Sequence, residues 1–146
     1  MLVHRLLSEA RERLVVIGSD APLIEAAKLL RIGTDIVVVR DAAGFLAGVI
    51  TKTDVVGQIS QCQGASCITR ASLVMTRDIV SCCPGDWLKD VWSTMKQHGL
   101  KNIPVVDSEA RPVGVLNARD VLQALLGEVE NEEALLRDYV MNIGYH

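Results

Sequence analysis

The chain has 146 residues, of which 49% are hydrophobic and only 3% aromatic, so aliphatic side chains must fill the core of one compact domain or of two small ones that share it. A net charge of −3 excludes the overall basic field that draws proteins to nucleic acid. No apolar run is long enough to cross a bilayer, and the first residues form a charged amphipathic stretch rather than a signal-peptide core. These features predict a cytoplasmic protein with neither nucleic acid nor membrane as its partner.

The first elements are a helix, a strand and a second helix. Residues 1–13 carry apolar side chains at helical spacing and predict a short helix that leads into the rest of the chain. Residues 15–17 predict a brief strand. Asp20 is the predicted N-cap of the next helix, with Pro22 in its first turn and Gly33 at its end.

A hairpin and a third helix follow. Residues 36–39 form a continuous apolar run that predicts a strand, and residues 41–44 predict the turn to a second strand over residues 46–50. The second strand runs into a helix that begins near Thr51. The first part of the chain therefore has the element order βαββα.

The same pattern returns about 66 residues later. Residues 48–55 (GVITKTDV) return as residues 114–121 (GVLNARDV), and residues 33–41 return as residues 99–107. Because each copy is too short to bury much core alone, the two copies are predicted to pack face to face and to leave two equivalent clefts where they meet.

The second copy predicts its own first strand and cap. Residues 79–82 are the predicted strand, and Asp86 is the predicted N-cap of the helix that follows. The apolar stripe that starts at Leu23 returns at Leu88, an offset of 65 rather than 66 residues. This difference indicates a slip of one residue near the end of the helix.

The remaining segments are a linker and a C-terminal tail. Residues 62–76 are the predicted linker, a small polar loop followed by a helical turn over residues 71–75. Residues 128–146 are predicted to form a terminal helix and tail with an apolar stripe. That stripe is covered either by the protein's own body or by self-association.

The duplicated elements resemble the tandem CBS domains of a Bateman module, as a stand-alone CBS-domain protein. The resemblance rests on two βαββα copies that each carry a Gly-Val-hydrophobic-Thr/Asn-x-x-Asp element, and residues 73–78 (LVMTRD) resemble the usual lead-in to a second CBS repeat. It implies an α/β (α+β) fold in which repeats at residues 14–61 and 77–127 are related by pseudo-two-fold symmetry, with flanking N- and C-terminal helices. It also implies a homodimer in the form of a flat four-repeat disk.

The Thr51-x-x-Asp54 element has two chemical interpretations. Backbone N–H groups at a helix N-terminus favour an anion, and an ionised Asp54 can accept both hydroxyls of a ribose. The same spacing is also a capping box, which helices use without any ligand. Both roles can coexist.

The resemblance implies a main nucleotide site between the copies, in which Lys101 and Arg119 are the cations for phosphate. The alternative for each of these two is an ordinary solvated side chain. The implied site consists of Gly48, Thr51, Thr53, Asp54, Val80, Leu100, Lys101, Asn102, Ile103, Pro104 and Arg119.

A second, weaker site is implied in the mirror cleft. Asn117 stands there in place of threonine, Asp35 in place of Lys101 and Val38 in place of proline, and a carboxylate at Asp35 would repel phosphate. The implied residues are Val16, Thr34, Asp35, Ile36, Asn117 and Asp120.

These observations predict a regulatory module that binds an adenine nucleotide, AMP or ATP, with NAD(H) or S-adenosylmethionine as further candidates, and acts on a protein target. The sequence shows no Ser/His/Asp order, no paired acid and base and no P-loop, so it predicts no catalytic residue, catalytic cofactor or metal ligand. One alternative is a redox or metal sensor that uses Cys62, Cys67, Cys82 and Cys83. Another is a ligand-free interaction module whose Thr-x-x-Asp elements serve only as caps.

Overall fold

The computed structural model describes residues 1–61 and 68–144 and has a mixed helix and strand architecture. The helices are α1 (Leu7–Arg13), α2 (Leu23–Leu29), α3 (Lys52–Gln61), α4 (Ala71–Val74), α5 (Leu88–His98) and α6 (Ala118–Gly144), and a 3-10 turn (Val3–Leu6) precedes α1. The strands are β1 (Val16–Gly18), β2 (Ile36–Arg40), β3 (Leu46–Thr51), β4 (Asn102–Val106) and β5 (Pro112–Asn117). We call β1 to α3 the first half and residues 79–127 the second half.

Each half is built on a hairpin whose register follows from its turn. In the first half β1 pairs in parallel with β2, and β2 pairs antiparallel with β3, so that Ile36 lies opposite Thr51. In the second half β4 and β5 pair antiparallel, with Asn102 opposite Asn117. The two hairpins therefore superpose as the sequence predicts.

The predicted strand at residues 79–82 is wrong, because only Cys82 makes a parallel bridge to β4. In the first half the N–H of Val38 donates to the carbonyl of Val15 at 2.8 Å and holds β1 against β2. The corresponding residue in β4 is Pro104, which has no N–H to donate. The second sheet thus loses one bond of the parallel ladder and keeps two strands.

Three apolar clusters hold the chain together. One lies in each half, and the third lies between them. The third consists of Ile36, Val38, Val49 and Val115, with Leu14, Val16, Leu46 and Ile79 packed against it. Because its members come from β2, β3 and β5, the faces of the two hairpins meet there, which is the face-to-face packing that the duplication predicts.

The segments that precede the two halves are exchanged. The N-terminal segment (residues 1–13) packs on the second half, where Val3, Leu7 and Ala10 join the core of α5, β4 and β5. The linker segment (residues 69–76) packs on the first half, where Ala71 joins the core of α2 and β3. The N-terminal helix is therefore not a simple lead-in to the first half, because its apolar face is buried against the second.

The exchanged segments also cap the helices, which corrects two predicted N-caps. Pro22 and Trp87, not Asp20 and Asp86, occupy the N-cap positions of α2 and α5, and neither makes a side-chain cap. Instead the N–H of Leu23 donates to the carbonyl of Thr69 at 2.7 Å, and that of Leu88 donates to the carbonyl of Met1 at 2.9 Å. A backbone carbonyl of the neighbouring segment thus accepts the hydrogen bond from the first turn of each helix, for which the sequence predicts an aspartate carboxylate.

The predicted slip between the copies lies at the ends of α2 and α5. Helix α5 runs to His98, and Gly99 caps it in the left-handed conformation at φ 64°. Helix α2 ends earlier, at Leu29, so Gly33 does not terminate it and instead lies in the following turn at φ 92°. Gly33 and Gly99 thus occupy corresponding positions in the two copies, although α2 ends earlier than α5.

The C-terminal helix does not begin near residue 128. Helix α6 runs without interruption from Ala118 to Gly144, so the last helix of the second half and the predicted terminal helix are one element of 27 residues. Gly127 is accommodated inside it. No helix within the described residues is long and apolar enough to span a membrane.

The duplicated glycines of β3 and β5 have a packing role. A Cβ atom at Gly114 would lie 2.8 Å from the Cβ of Ala10 and 2.9 Å from its carbonyl carbon. A Cβ atom at Gly48 would lie 2.6 Å from the sulfur of Met75 and 2.9 Å from the carbonyl oxygen of Thr76. Glycine therefore allows each exchanged segment to approach its strand.

We expect Gly114→Ala to lower the free energy of unfolding by about 1–3 kcal/mol, because α1 must move away from β5. Gly127→Ala is the matched control, since a Cβ there meets nothing within 4 Å. In a helix interior this control change should stabilise by about 0.5–1 kcal/mol. Chemical denaturation of both variants measures the difference, and equal effects would contradict the packing role.

Candidate functional site

A cleft of about 780 Å³ lies between the two halves. We call it the main cleft. It opens between the N-terminus of α3, residues 76–80 and the turn that leads from α5 into β4. Its lining consists of Asp35, Ile36, Val49, Thr51, Lys52, Thr53, Asp54, Thr76, Asp78, Ile79, Val80, His98, Gly99, Leu100, Lys101, Asn102 and Pro104.

The Thr51-x-x-Asp54 element forms a capping box at the N-terminus of α3. The N–H of Thr51 donates to Oδ2 of Asp54 at 2.9 Å, and the Thr51 hydroxyl donates to the same oxygen at 3.2 Å. The N–H of Asp54 in turn donates to Thr51 Oγ1 at 3.4 Å. Within the described residues, Oδ1 of Asp54 accepts no hydrogen bond, so one carboxylate oxygen remains available while the other caps the helix.

The opposite wall of the main cleft is apolar. Val80, Leu100 and Pro104 face the cleft from the second half, and Ile36 and Val49 contribute from the strands of the first. These side chains carry no charge and offer flat aliphatic surface. The cleft therefore combines a polar end that accepts hydroxyl groups with an apolar slot suited to a planar ring.

Charges of both signs lie at the rim. Lys52 Nζ is 3.9 Å from Asp35 Oδ1, but both side chains are more than half exposed, so this pair stabilises little. Lys101 is exposed beside the slot, and Asp78 lies at the other side of the opening. An anionic group placed near Lys101 and Lys52 would find two cations within the lining.

The structure brings most of the residues proposed for the main site together. Those that line the main cleft are Thr51, Thr53, Asp54, Val80, Leu100, Lys101, Asn102 and Pro104. Gly48 lies instead against Met75, Ile103 is 1% exposed in the core of the second half, and Arg119 is exposed outside the lining.

Asp35 and Ile36, which the resemblance assigns to the second site, line the main cleft. Ile36 is the antiparallel partner of Thr51. Counting outward from the hairpin turn at residues 41–44 would place Ile36 opposite Val49, but the irregular register between Val39 and Arg40 moves it opposite Thr51. His98, Thr76 and Asp78 also line the cleft, and no residue pattern points to them because the tertiary fold alone brings them there.

The mirror cleft is smaller, at about 370 Å³. Its aspartate, Asp120, is already bonded to a side chain of the protein itself. Arg13 Nε lies 2.7 Å from Asp120 Oδ2, so α1 delivers a guanidinium to the carboxylate that corresponds to Asp54. Its lining consists of Glu9, Glu12, Arg13, Val15, Gly33, Thr34 and Asp120. Carboxylates of Glu9 and Glu12 make this cleft repel a phosphate.

Two further residues of the proposed second site lie apart from that lining. The Asn117 amide donates to Oδ1 of Asn102 at 3.2 Å, and its own oxygen accepts from the N–H of Arg119 at 2.9 Å. Val16 packs against the apolar cluster between the two halves. Only Thr34 and Asp120 of the proposed set face the mirror cleft.

The cysteines of the sensor alternative divide into two groups. Cys62 and Cys67 lie outside the described residues. Cys82 is buried and Cys83 exposed, and both are free. Burial, followed by the nearby carboxylate of Asp86 and by Cys83, raises the pKa of Cys82 to about 12. Within residues 1–61 and 68–144 there is no group of three or more histidines, cysteines and carboxylates that could hold a metal ion.

Comparison with protein families assigns the fold. The family model of the CBS domain matches residues 7–61 and 71–127, which together make up most of the chain. The chain belongs to the CBS domain family. Its two halves are the two members of a CBS domain pair, and the main and mirror clefts lie between them.

Similar solved structures share this architecture. The CBS-domain containing protein from Agrobacterium tumefaciens is 28% identical, with a TM-score of 0.71 over 85% of this chain and 98% of that one. The CBS domain pair of protein MJ0100, in complex with 5′-methylthioadenosine and S-adenosyl-L-methionine, is 23% identical, with a TM-score of 0.71 over 88% and 98%. At that identity the likeness concerns the fold.

Curated relatives match this chain over part of their own length. A homoserine O-acetyltransferase from Methanococcoides burtonii is 28% identical over 112 residues, which cover 75% of this chain and 22% of that enzyme. The chain thus spans about a fifth of the curated relatives that it matches first.

Because the thiolate is the reactive form of cysteine, we expect Cys82 to resist thiol reagents in the folded protein. With the other three cysteines changed to serine, Cys82 should react with Ellman's reagent at pH 8 much more slowly in buffer than in guanidinium. The matched control retains only the exposed Cys83, which should react readily in the folded state. Equal labelling rates of Cys82 in the folded and unfolded protein would contradict this expectation and favour the sensor alternative.

Proposed function

We propose that this CBS pair is a regulatory module that binds an adenine nucleotide, AMP or ATP, in the main cleft. The proposal includes a cytoplasmic homodimer that acts on a protein target, as the family resemblance implies. Binding serves as a signal when the nucleotide favours one arrangement of the module or its target over another.

The observation that carries this proposal is the geometry at Asp54. Asp54 lines the main cleft at the N-terminus of α3, where the capping box fixes its Oδ2 and Oδ1 accepts no hydrogen bond from the described residues. A rigid, ionised carboxylate suits a ribose diol, since each hydroxyl donates a charge-assisted hydrogen bond. The cap holds the side chain in this orientation before any ligand arrives.

The other surfaces of the main cleft are suited to the base and the phosphate of a nucleotide. The aliphatic slot of Val80, Leu100 and Pro104 suits the purine ring, and Lys101 and Lys52 suit the phosphate. The CBS pair of MJ0100, which carries 5′-methylthioadenosine and S-adenosyl-L-methionine, supports an adenosine compound as the ligand class.

The two clefts are proposed to bind unequally, with the main cleft as the tighter site. In the mirror cleft Arg13 already neutralises Asp120, so a ribose there must displace an ion pair. Glu9 and Glu12 add negative charge beside it. A ligand with phosphate must displace this ion pair in the mirror cleft, whereas in the main cleft Lys52 and Lys101 offset the carboxylates of Asp35 and Asp78.

We expect Asp54→Asn to weaken AMP binding roughly tenfold to a hundredfold, because hydrogen bonds to a charged group contribute about 1.5–3 kcal/mol. Asparagine retains the shape of the side chain and can still cap the helix. Isothermal titration calorimetry with AMP and ATP measures the change, and denaturation checks that the variant is folded.

Asp120→Asn is the matched control, because it alters the corresponding residue of the mirror cleft. It should leave AMP affinity at the main cleft within about twofold. The proposal fails if Asp54→Asn binds like the parent while Asp120→Asn loses binding. It also fails if neither AMP nor ATP raises the melting temperature of the parent protein at saturating concentration.

Arg13→Gln should open the mirror cleft to a neutral adenosine compound. Released from its ion pair, Asp120 becomes available to a ribose, whereas Glu9 and Glu12 continue to repel phosphate. Titration with 5′-methylthioadenosine should therefore show a second binding event that ATP does not show. Arg11→Gln, an exposed change on the same helix, is the control and should leave the number of sites unchanged. An unchanged number of sites in Arg13→Gln would refute the blocking role of the ion pair.

A further inference from the structure

The C-terminal part of α6 extends beyond the folded body. Leu125 is the last residue of this helix that packs against the core of the second half. Glu128 Oε1 lies 3.5 Å from the amino group of Met1, and from Val129 to Met141 every side chain that the structure describes is exposed. We call residues 126–141 the overhang. A helix with so few contacts gains little stability from the body, and its exposed apolar side chains are open to a partner.

The overhang carries the pattern of a coiled-coil seam. Leu126, Val129, Leu136 and Val140 are 53%, 51%, 63% and 58% exposed, and Glu133 lies between them. The successive spacings of these five residues are three, four, three and four, an average of 3.5. That period turns one narrow stripe of a helix toward a second helix along its whole length.

We propose that the overhang pairs with the overhang of a second copy of this chain in an antiparallel two-helix coiled coil. In the register that aligns the two seams, Val129 packs on Val140 of the second copy and Glu133 packs beside Leu136. A shallow groove of about 360 Å³ lies along this stripe, lined by Glu133, Leu136, Arg137, Val140 and Met141.

Charge decides the direction of the pairing. Two parallel helices would place Glu133 against Glu133 of the second copy, and two carboxylates in a partly dehydrated seam repel each other. The antiparallel register separates these carboxylates. It also brings Glu130 opposite Arg137 of the second copy, and the two-fold symmetry repeats that pair at the other end.

The placement of Glu130 and Arg137 supports a second copy as the occupant. A self-complementary surface needs opposite charges related by a two-fold axis, and Glu130 and Arg137 are placed symmetrically about the centre of the overhang. The rest of this segment is acidic, with Glu132, Glu133 and Asp138. Arg137 lies beside a carboxylate of the other chain in either direction, Glu130 in the antiparallel register and Glu132 in the parallel one, so the seam position of Glu133 decides the direction.

Analytical ultracentrifugation of the full chain tests the interface. Between about 1 µM and about 1 mM the parent should pass from monomer toward dimer. Leu136→Glu should raise the dissociation constant roughly tenfold or more, because it places a charge in the seam. Leu135→Glu is the matched control: Leu135 is 61% exposed but lies off the stripe, so this change should leave the dimer intact.

A protein that remains monomeric at every concentration overturns the proposal. So does a dimer that Leu136→Glu leaves unchanged, because its interface must then lie elsewhere in the pair. Circular dichroism establishes that both variants keep the helical content of the parent. Dissociation caused equally by Leu135→Glu and Leu136→Glu also counts against a seam, since it would show that charge on any side of the overhang suffices.

Disulfide cross-linking tests the direction. In a background with the four native cysteines changed to serine, Val129→Cys together with Val140→Cys should give a covalent dimer on mild oxidation. Val129→Cys alone should not, because its counterpart in the second copy lies at the far end of the seam. Efficient cross-linking of Val129→Cys alone would indicate parallel helices and overturn the antiparallel pairing.

Discussion

The close contact between each exchanged segment and the opposite strand is the constraint on which the structure depends. Gly114 admits Ala10 of α1, and Gly48 admits Met75 and Thr76 of the linker segment. Two hydrogen bonds between Val49 and Thr76, at 3.1 and 2.8 Å, fix the second of these contacts. Each contact fixes the position of the backbone beside a cleft. The residues that follow the contact in the chain are therefore the ones that line that cleft.

This constraint explains why a duplicated sequence gives unequal clefts. Three residues after Ala10 the N-terminal segment delivers Arg13 to Asp120, whereas two residues after Thr76 the linker segment places Asp78 at the opening of the main cleft. A cation covers one duplicated aspartate, and no cation is bonded to the other within the described residues. The backbone repeats, but Asp120 is bonded to Arg13 whereas Asp54 is bonded only within its capping box, and that difference supports the proposed ranking of the two sites.

Local patterns predicted the hairpins, the helices and the face-to-face packing of the two halves, because alternation and turn residues act over short distances. The wrong predictions concern helix caps that a distant segment provides and one strand whose pairing lacks an N–H group. Thr69 and Met1 carbonyls replaced the predicted caps of α2 and α5, and Pro104 prevented a strand at residues 79–82. Asp35 and Ile36 line the main cleft because Ile36 is the antiparallel partner of Thr51, a register that comparison of the two copies does not reveal.

Helix α6 connects the mirror cleft to the overhang. Asp120 lies in its first turn, and at 1.5 Å per residue the 27-residue helix is about 40 Å long. A rigid element of that length converts a small tilt at Asp120 into a displacement of several ångströms at its far end. The pair between Arg13 and Asp120 ties the start of this helix to α1, so any ligand that competes for Asp120 also changes how the overhang is held. Within the described residues α3 ends at Gln61, so the contact between the two halves is the route that the structure offers to a ligand in the main cleft.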